Sequence, residues 1–319
     1  MRPTTSDPAT TADASATSPS ATSPSATSMP ATSPSATSMP ARHLPAASPA
    51  ASAPATSASV SQPPAAREPA EAEQHHLATS VLLHLWPGAA LLAFVLATAP
   101  FFARFGIPAP FVLFLGIPAV IVPIELGTLL VHARRRTGSW RLSPLTVGYR
   151  EQLPRRRRRW LVAGLVTWFM VFFLISTAVV DPFLAERVFG WLPDAVLQFS
   201  TFDDGGVEPS TLVTVLLLFT AVVFNGVVGP VVEELYFRGY LLPRISRLGR
   251  GAPVLNTVLF SLYHFWTPWQ NPARIIGLVP MTWMVWRERS LRIGIATHVI
   301  VNVVFLTLLL VLIAAGVNG

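Results

Sequence analysis

The chain has 319 residues, 51% of them hydrophobic and only 12% charged, and its mean hydropathy is +0.51. Such an excess of apolar side chains cannot be hidden in the core of an ordinary soluble domain, so the fold class read from composition is all-α, a polytopic transmembrane helix bundle. The net charge of +7 is carried by arginine without any lysine, and there is no cysteine. The missing cysteine excludes disulfides, thiolate metal sites and a cysteine nucleophile. The arginines flank apolar spans rather than forming a basic face with stacking aromatics, which argues against a nucleic-acid partner.

Residues 1–78 form a tail rich in Ala, Ser, Thr and Pro, with the unit ATSPSATSMP at 21–30 and again at 31–40. It has almost no large apolar side chains to offset ordering entropy and is expected to be disordered. It lacks the early apolar core of a signal peptide. Residues 79–159 hold two apolar spans, about 82–103 and 107–132, and an arginine-rich loop. Residues 160–319 hold five more, about 160–180, 211–243, 252–266, 273–286 and 291–314. Seven spans are therefore expected, the short fifth and sixth being tilted, re-entrant or buried by neighbours.

Arginine placement predicts orientation. Arg134 to Arg136, Arg141, Arg150 and the run Arg155 to Arg159 follow the second span; Arg244, Arg247 and Arg250 follow the fourth; Arg287, Arg289 and Arg292 follow the sixth. Asp181, Glu186, Asp194, Asp203, Asp204 and Glu208 lie between the third and fourth. The positive-inside rule places the arginine-rich loops and the N-terminal tail in the cytoplasm of a multi-pass cell-membrane protein. The five-arginine run reads as a topology anchor, with anionic lipid head groups as a secondary partner.

Against this apolar background four polar positions stand out. Glu233 and Glu234 are adjacent within the fourth span, and His264 and His298 lie in two others. A carboxylate at bilayer depth costs about 2.5–3.5 kcal/mol on insertion scales. Counted at 1.5 Å per residue, Glu233, His264, His298 and Asn302 fall roughly 9–18 Å from the cytoplasmic interface, in one layer. His298 and Asn302 are four apart, as are Phe260 and His264, and Glu234 and Arg238 are in the favourable acid-first order. One division has Arg238 hold Glu234 while Glu233 faces a cavity; in another Arg238 orients both. Gly229-Pro230 predicts a kink that places the glutamates in the first turn of a half-helix. A glutamate and a histidine on one water can deprotonate it or hold a divalent metal that does so. A histidine with an asparagine amide can support an oxyanion. Together these describe amide hydrolysis.

The strings Glu233-Glu234-Leu-Tyr-Phe-Arg238, Phe260-Ser-Leu-Tyr-His264 and His298-Val-Ile-Val-Asn302 resemble the three motifs of the CAAX-prenyl-endopeptidase and bacteriocin-processing (CPBP/Abi) family of intramembrane proteases, over about residues 160–314. The resemblance implies a membrane-embedded endopeptidase of the metallopeptidase-like type, with a conical cavity open to the cytoplasm. Glu233 and His264 would activate water, His298 and Asn302 would stabilise the oxyanion, and Glu234 with Arg238 would support the site. It leaves two chemistries open: a divalent metal such as zinc on Glu233, His264 and His298, or direct activation by the glutamate without metal. The implied partners are a peptide or membrane-protein substrate and membrane lipids. A scaffold or immunity-type protein acting by partner binding is the alternative, and a carboxylate-coupled transporter a third class, though no internal repeat supports it. The first two spans add nothing to the catalytic assignment. His43, His75, His76, His84 and His132 have no motif partners and read as surface or interfacial, and Trp266, Trp269, Trp283 and Trp286 read as interfacial aromatics.

Overall fold

In a computed structural model, residues 72–143, 146–197 and 210–314 are described. The tail up to residue 71 with its His43, and the acidic Asp203, Asp204 and Glu208, lie outside them. The described chain is helical, with no β-strand and only an isolated bridge between Arg150 and Ser290. Five helical spans are long and apolar enough to cross a membrane: α1 (Leu77–Ala103), α2 (Ala109–Thr137), α3 (Arg155–Arg187), α5 (Thr211–Leu248) and α8 (Leu291–Ala314, apolar over Leu291–Leu308). A single turn, α4 (Asp194–Leu197), precedes α5.

The count of seven resolves into these five plus a helical pair. α6 (Gly251–Leu262) has 12 residues, about 18 Å, too short for a core of about 30 Å; α7 (Asn271–Glu288) carries Arg274, Arg287 and Glu288. The two pack against each other and are joined by a turn with a 3-10 segment, Pro268–Gln270. The chain thus leaves the helix at Leu262, not at 266, and His264 lies in the turn. At the other end α1 starts at Leu77, earlier than expected. The residues before it are held by α5: Gln74 Nε2 donates to the Pro243 carbonyl and the His75 N–H to that of Arg244.

Prolines inside the helices free carbonyls, and neighbouring helices satisfy them. Pro87 in α1 cannot donate to the Leu83 carbonyl, which accepts from the Tyr236 hydroxyl of α5 at 2.8 Å. Pro280 in α7 leaves the Ile276 carbonyl to the Trp168 indole N–H of α3 at 3.3 Å. α5 does not break at Gly229-Pro230. Across that step its backbone stays helical, with π-helical segments over Ala221–Val228 and Glu234–Leu241 on either side of Gly229–Glu233, and the non-helical residue falls later, at Ile245. The first-turn dipole position expected for the glutamates therefore does not arise.

The arginine-rich segments meet at one end of the bundle. The Leu291 N–H donates to the Tyr149 carbonyl and the Gly148 N–H to that of Gly239, while Arg157 pairs with Glu288 at 2.8 Å.

Candidate functional site

The site forms where α5, the α6–α7 turn and α8 converge. Glu233 and Glu234 point differently because about 100° separates consecutive helical residues. Glu234 is fully buried and its Oε1 lies 3.0 Å from Arg238 Nη1, also fully buried. Arg238 Nη2 reaches Thr282 Oγ1 at 3.4 Å, and its guanidinium lies 4.1 Å from the centre of the Phe260 ring, a cation–π contact of the kind that desolvation strengthens. Glu233 keeps 14% of its side chain exposed.

His298 stands between the two acids. Its Nδ1 is 3.1 Å from Glu234 Oε1 and its Nε2 3.7 Å from Glu233 Oε2. A carboxylate accepts, so Nδ1 donates to Glu234, and Nε2 lies beyond hydrogen-bond distance of Glu233 and uncommitted. α8 can pass this close because residue 294 is glycine: a Cβ there would collide with Glu234 Oε2.

His264 is oriented by the end of α6. Its Nδ1 lies 2.9 Å from the Phe260 carbonyl; since that oxygen only accepts, Nδ1 carries the proton and Nε2 presents a lone pair. Tyr263 links His264 to Glu233, donating its hydroxyl to Glu233 Oε1 at 3.0 Å while its ring packs against the imidazole at 4.8 Å. Phe260 is the shared floor, touching Arg238, His264 and His298.

Asn302 donates from Nδ2 to the Asn225 carbonyl at 2.9 Å. The local register explains why that carbonyl is free. Gly229 N–H bonds to Phe224 in the i→i+5 pattern; the next donor, for Asn225, would be the nitrogen of Pro230, which has no hydrogen. The Gly-Pro step thus supplies the anchor for Asn302, whose second amide hydrogen stays available.

The structure therefore draws Glu233, Glu234, Arg238 and His298 into direct contact, joins His264 to them through Tyr263 and Phe260, and ties Asn302 to the neighbouring turn of α5. Among the described residues no group of three or more His, Asp or Glu is placed to hold a metal ion. A cavity of about 520 Å³ at the arginine-rich end reaches Leu235 and Ile295, next to Glu234 and Gly294.

Several supporting residues went unread in the sequence. His84, expected at a surface, is fully buried: its Nδ1 donates to the Ser80 carbonyl at 2.6 Å and its Nε2 accepts from Asn256 Nδ2 at 2.9 Å, while the same amide donates to the Phe237 carbonyl. α1, α6 and α5 are locked together in this way. α1 also touches the site directly, because a Cβ at Gly88 would collide with the Tyr263 carbonyl. α2 brings Glu125, fully buried with neither carboxylate oxygen hydrogen-bonded, on the face that packs against Gly229–Leu241. The first two spans thus build the back of the site. His75 and His132 are half-buried against Tyr240, and only His76 is exposed. Trp266 and Trp269 are buried rather than interfacial, Trp266 lying 4.9 Å from His264.

No curated protein and no solved structure matches the chain. Residues 212–304, which include Glu233, Glu234, Arg238, His264, His298 and Asn302, match the family described as Rce1-like: Type II CAAX prenyl endopeptidase Rce1-like, in line with the CAAX/CPBP resemblance of the motifs.

Proposed function

We propose that this chain is an intramembrane endopeptidase of the CAAX-processing type, in which Glu233 and His264 activate the hydrolytic water. The observation that carries the reading is the Nδ1 contact of His264: with Nδ1 donating to the Phe260 carbonyl, Nε2 of the neutral ring is left as a lone-pair acceptor, and Tyr263, whose ring packs on that imidazole, hydrogen-bonds Glu233. A water between them gives its proton to Glu233 as its oxygen attacks the amide carbon. The carbonyl electron pair moves onto oxygen. The free amide hydrogen of Asn302 and the Nε2–H of His298 in its imidazolium form donate to that oxyanion. Collapse breaks the C–N bond, and the proton on Glu233 passes to the departing amine. Glu234 and Arg238 hold His298 and Phe260 in place and exchange no proton with substrate.

The test uses purified protein in liposomes and a farnesylated peptide ending in a CAAX sequence, with terminal proteomics of membranes containing active or altered protein for other substrates. Glu233→Gln and His264→Ala are expected to lower turnover by about 10²–10⁴-fold, the usual weight of a general base, and dialysis against a chelator to leave it unchanged. Turnover retained in both variants overturns the assignment.

A further inference from the structure

A groove of about 470 Å³ runs between α3 and α8, on the opposite side of α8 from the catalytic cluster. Its volume lies in the range of sites that take small molecules. α3 lines it with Arg158 and Arg159, then Val162 and Val166; α8 lines it with Ala296 and Ile300. Within each helix these positions recur at three- to four-residue spacing and share a face. The groove therefore runs along the helices from the arginine-rich end inward, over about 12 Å of α3.

Its two ends differ in chemistry. The walls are aliphatic except for Thr167, on the turn farthest from the arginines. At the mouth stand two guanidinium groups with no ion-pair partner among the described residues, whereas the adjacent Arg157 is taken by Glu288. Trp160 on the same turn is 72% exposed, as expected of an aromatic at head-group level. The geometry points to a binding site for one anionic phospholipid, its phosphodiester on Arg158 and Arg159 and an acyl chain along Val162, Val166, Ala296 and Ile300. Basic pockets between transmembrane helices are suited to such head groups. A zwitterionic lipid would bring its own cation to the mouth, and an extended peptide would leave most of its backbone groups unsatisfied against walls that offer the single hydroxyl of Thr167. His298 lies two residues from both Ala296 and Ile300, about 200° round the helix, so the lipid sits behind the catalytic face and the inference does not depend on the peptidase reading.

The experiment reconstitutes the full chain in phosphatidylcholine nanodiscs with or without phosphatidylglycerol and reads retained lipid by native mass spectrometry. Phosphatidylglycerol is expected to be retained selectively. The double variant Arg158→Gln/Arg159→Gln should weaken that retention about thirtyfold, from the usual contribution of two arginines at a membrane surface. Ala163→Phe, at an exposed position lining the groove, should also expel the lipid, while Arg156→Gln, in the same run but outside the groove, should retain it. The proposal is overturned if no lipid preference is seen, if Arg156→Gln costs as much as the double variant, if Ala163→Phe has no effect, or if inorganic phosphate or a short-chain analogue competes as well as the full lipid.

Discussion

Arg238 is the cation on which the interior of the site turns. It is fully buried, pairs with Glu234, reaches Thr282 and lies over Phe260. Removing one member of a buried pair leaves the other charged and unpaired, a loss of about 3–5 kcal/mol. Arg238→Met is therefore expected to lower stability by that amount in a detergent unfolding titration; a loss below about 1 kcal/mol would show that Glu234 finds another partner. Arg238 and the motif acids were legible in the sequence because an adjacent acid pair with an arginine at helical spacing stands inside an apolar span. Glu125 was not, because it stands by itself with no partner at helical spacing. Tyr263 was overlooked for a different reason: a tyrosine in an apolar segment is ordinary, and only the turn after Leu262 aims its hydroxyl at Glu233. Outside the spans, His75 gives a pH test. Burial first, then the nearby Arg244 guanidinium, holds its imidazole below the ordinary 6.5, so it binds a proton less readily folded than unfolded and protons are taken up on unfolding below that pH. Its contribution is thus complete above pH 6.5 and lost as the pH falls below that value. The thermal midpoint of the wild type should drop further than that of His75→Gln on moving from above to below pH 6.5; parallel drops would mean that His75 does not titrate with unfolding.

At the scale of elements, the useful features are irregularities that composition does not report. Apolar runs identified the long helices, because length and hydropathy together set a span. They could not reveal π-helical segments, which depend on how side chains from other helices meet the backbone. The expected kink at Pro230 illustrates the difference. A proline in a lone helix would break it, but here the wider register and the Asn302 amide absorb the missing hydrogen bond. Pro230→Ala restores a backbone N–H that competes with Asn302 for the Asn225 carbonyl. The helix should be slightly more stable, by about 0.5–1.5 kcal/mol for a gained hydrogen bond, while turnover falls because Asn302 is no longer held. The check is to measure unfolding and turnover on the same variant, alongside Asn302→Ala; turnover equal to the wild type would detach the Gly-Pro step from the site. Gly294 is a second such element-level feature, since the approach of α8 to Glu234 requires the absence of a Cβ rather than any polar group.

For the whole molecule, orientation depends on which ends the arginines share. The segment after α2 is hydrogen-bonded to the last turns of α5 and to the α7–α8 junction, and the start of α3 is ion-paired to the end of α7, so these arginine-rich parts lie at the same end. The α6–α7 pair starts and finishes at that end, and therefore cannot invert the direction of α8, however deep the pair reaches. If each of the five long helices crosses once, the start of α1 lies with the arginines and the end of α8 opposite. The positive-inside rule predicts that the shared end is cytoplasmic. The absence of native cysteine makes this directly measurable, because any introduced cysteine is the sole reporter. Thr137→Cys and Ser246→Cys, exposed at the arginine-rich end, should react with an impermeant maleimide only after the membrane is opened. Val188→Cys and Ser210→Cys, exposed at the far ends of α3 and α5, should react in intact cells. The reverse pattern would turn the bundle over and put the site on the other side of the membrane from the expected cytoplasmic substrate. A mixed pattern within either pair would break the five-crossing topology itself.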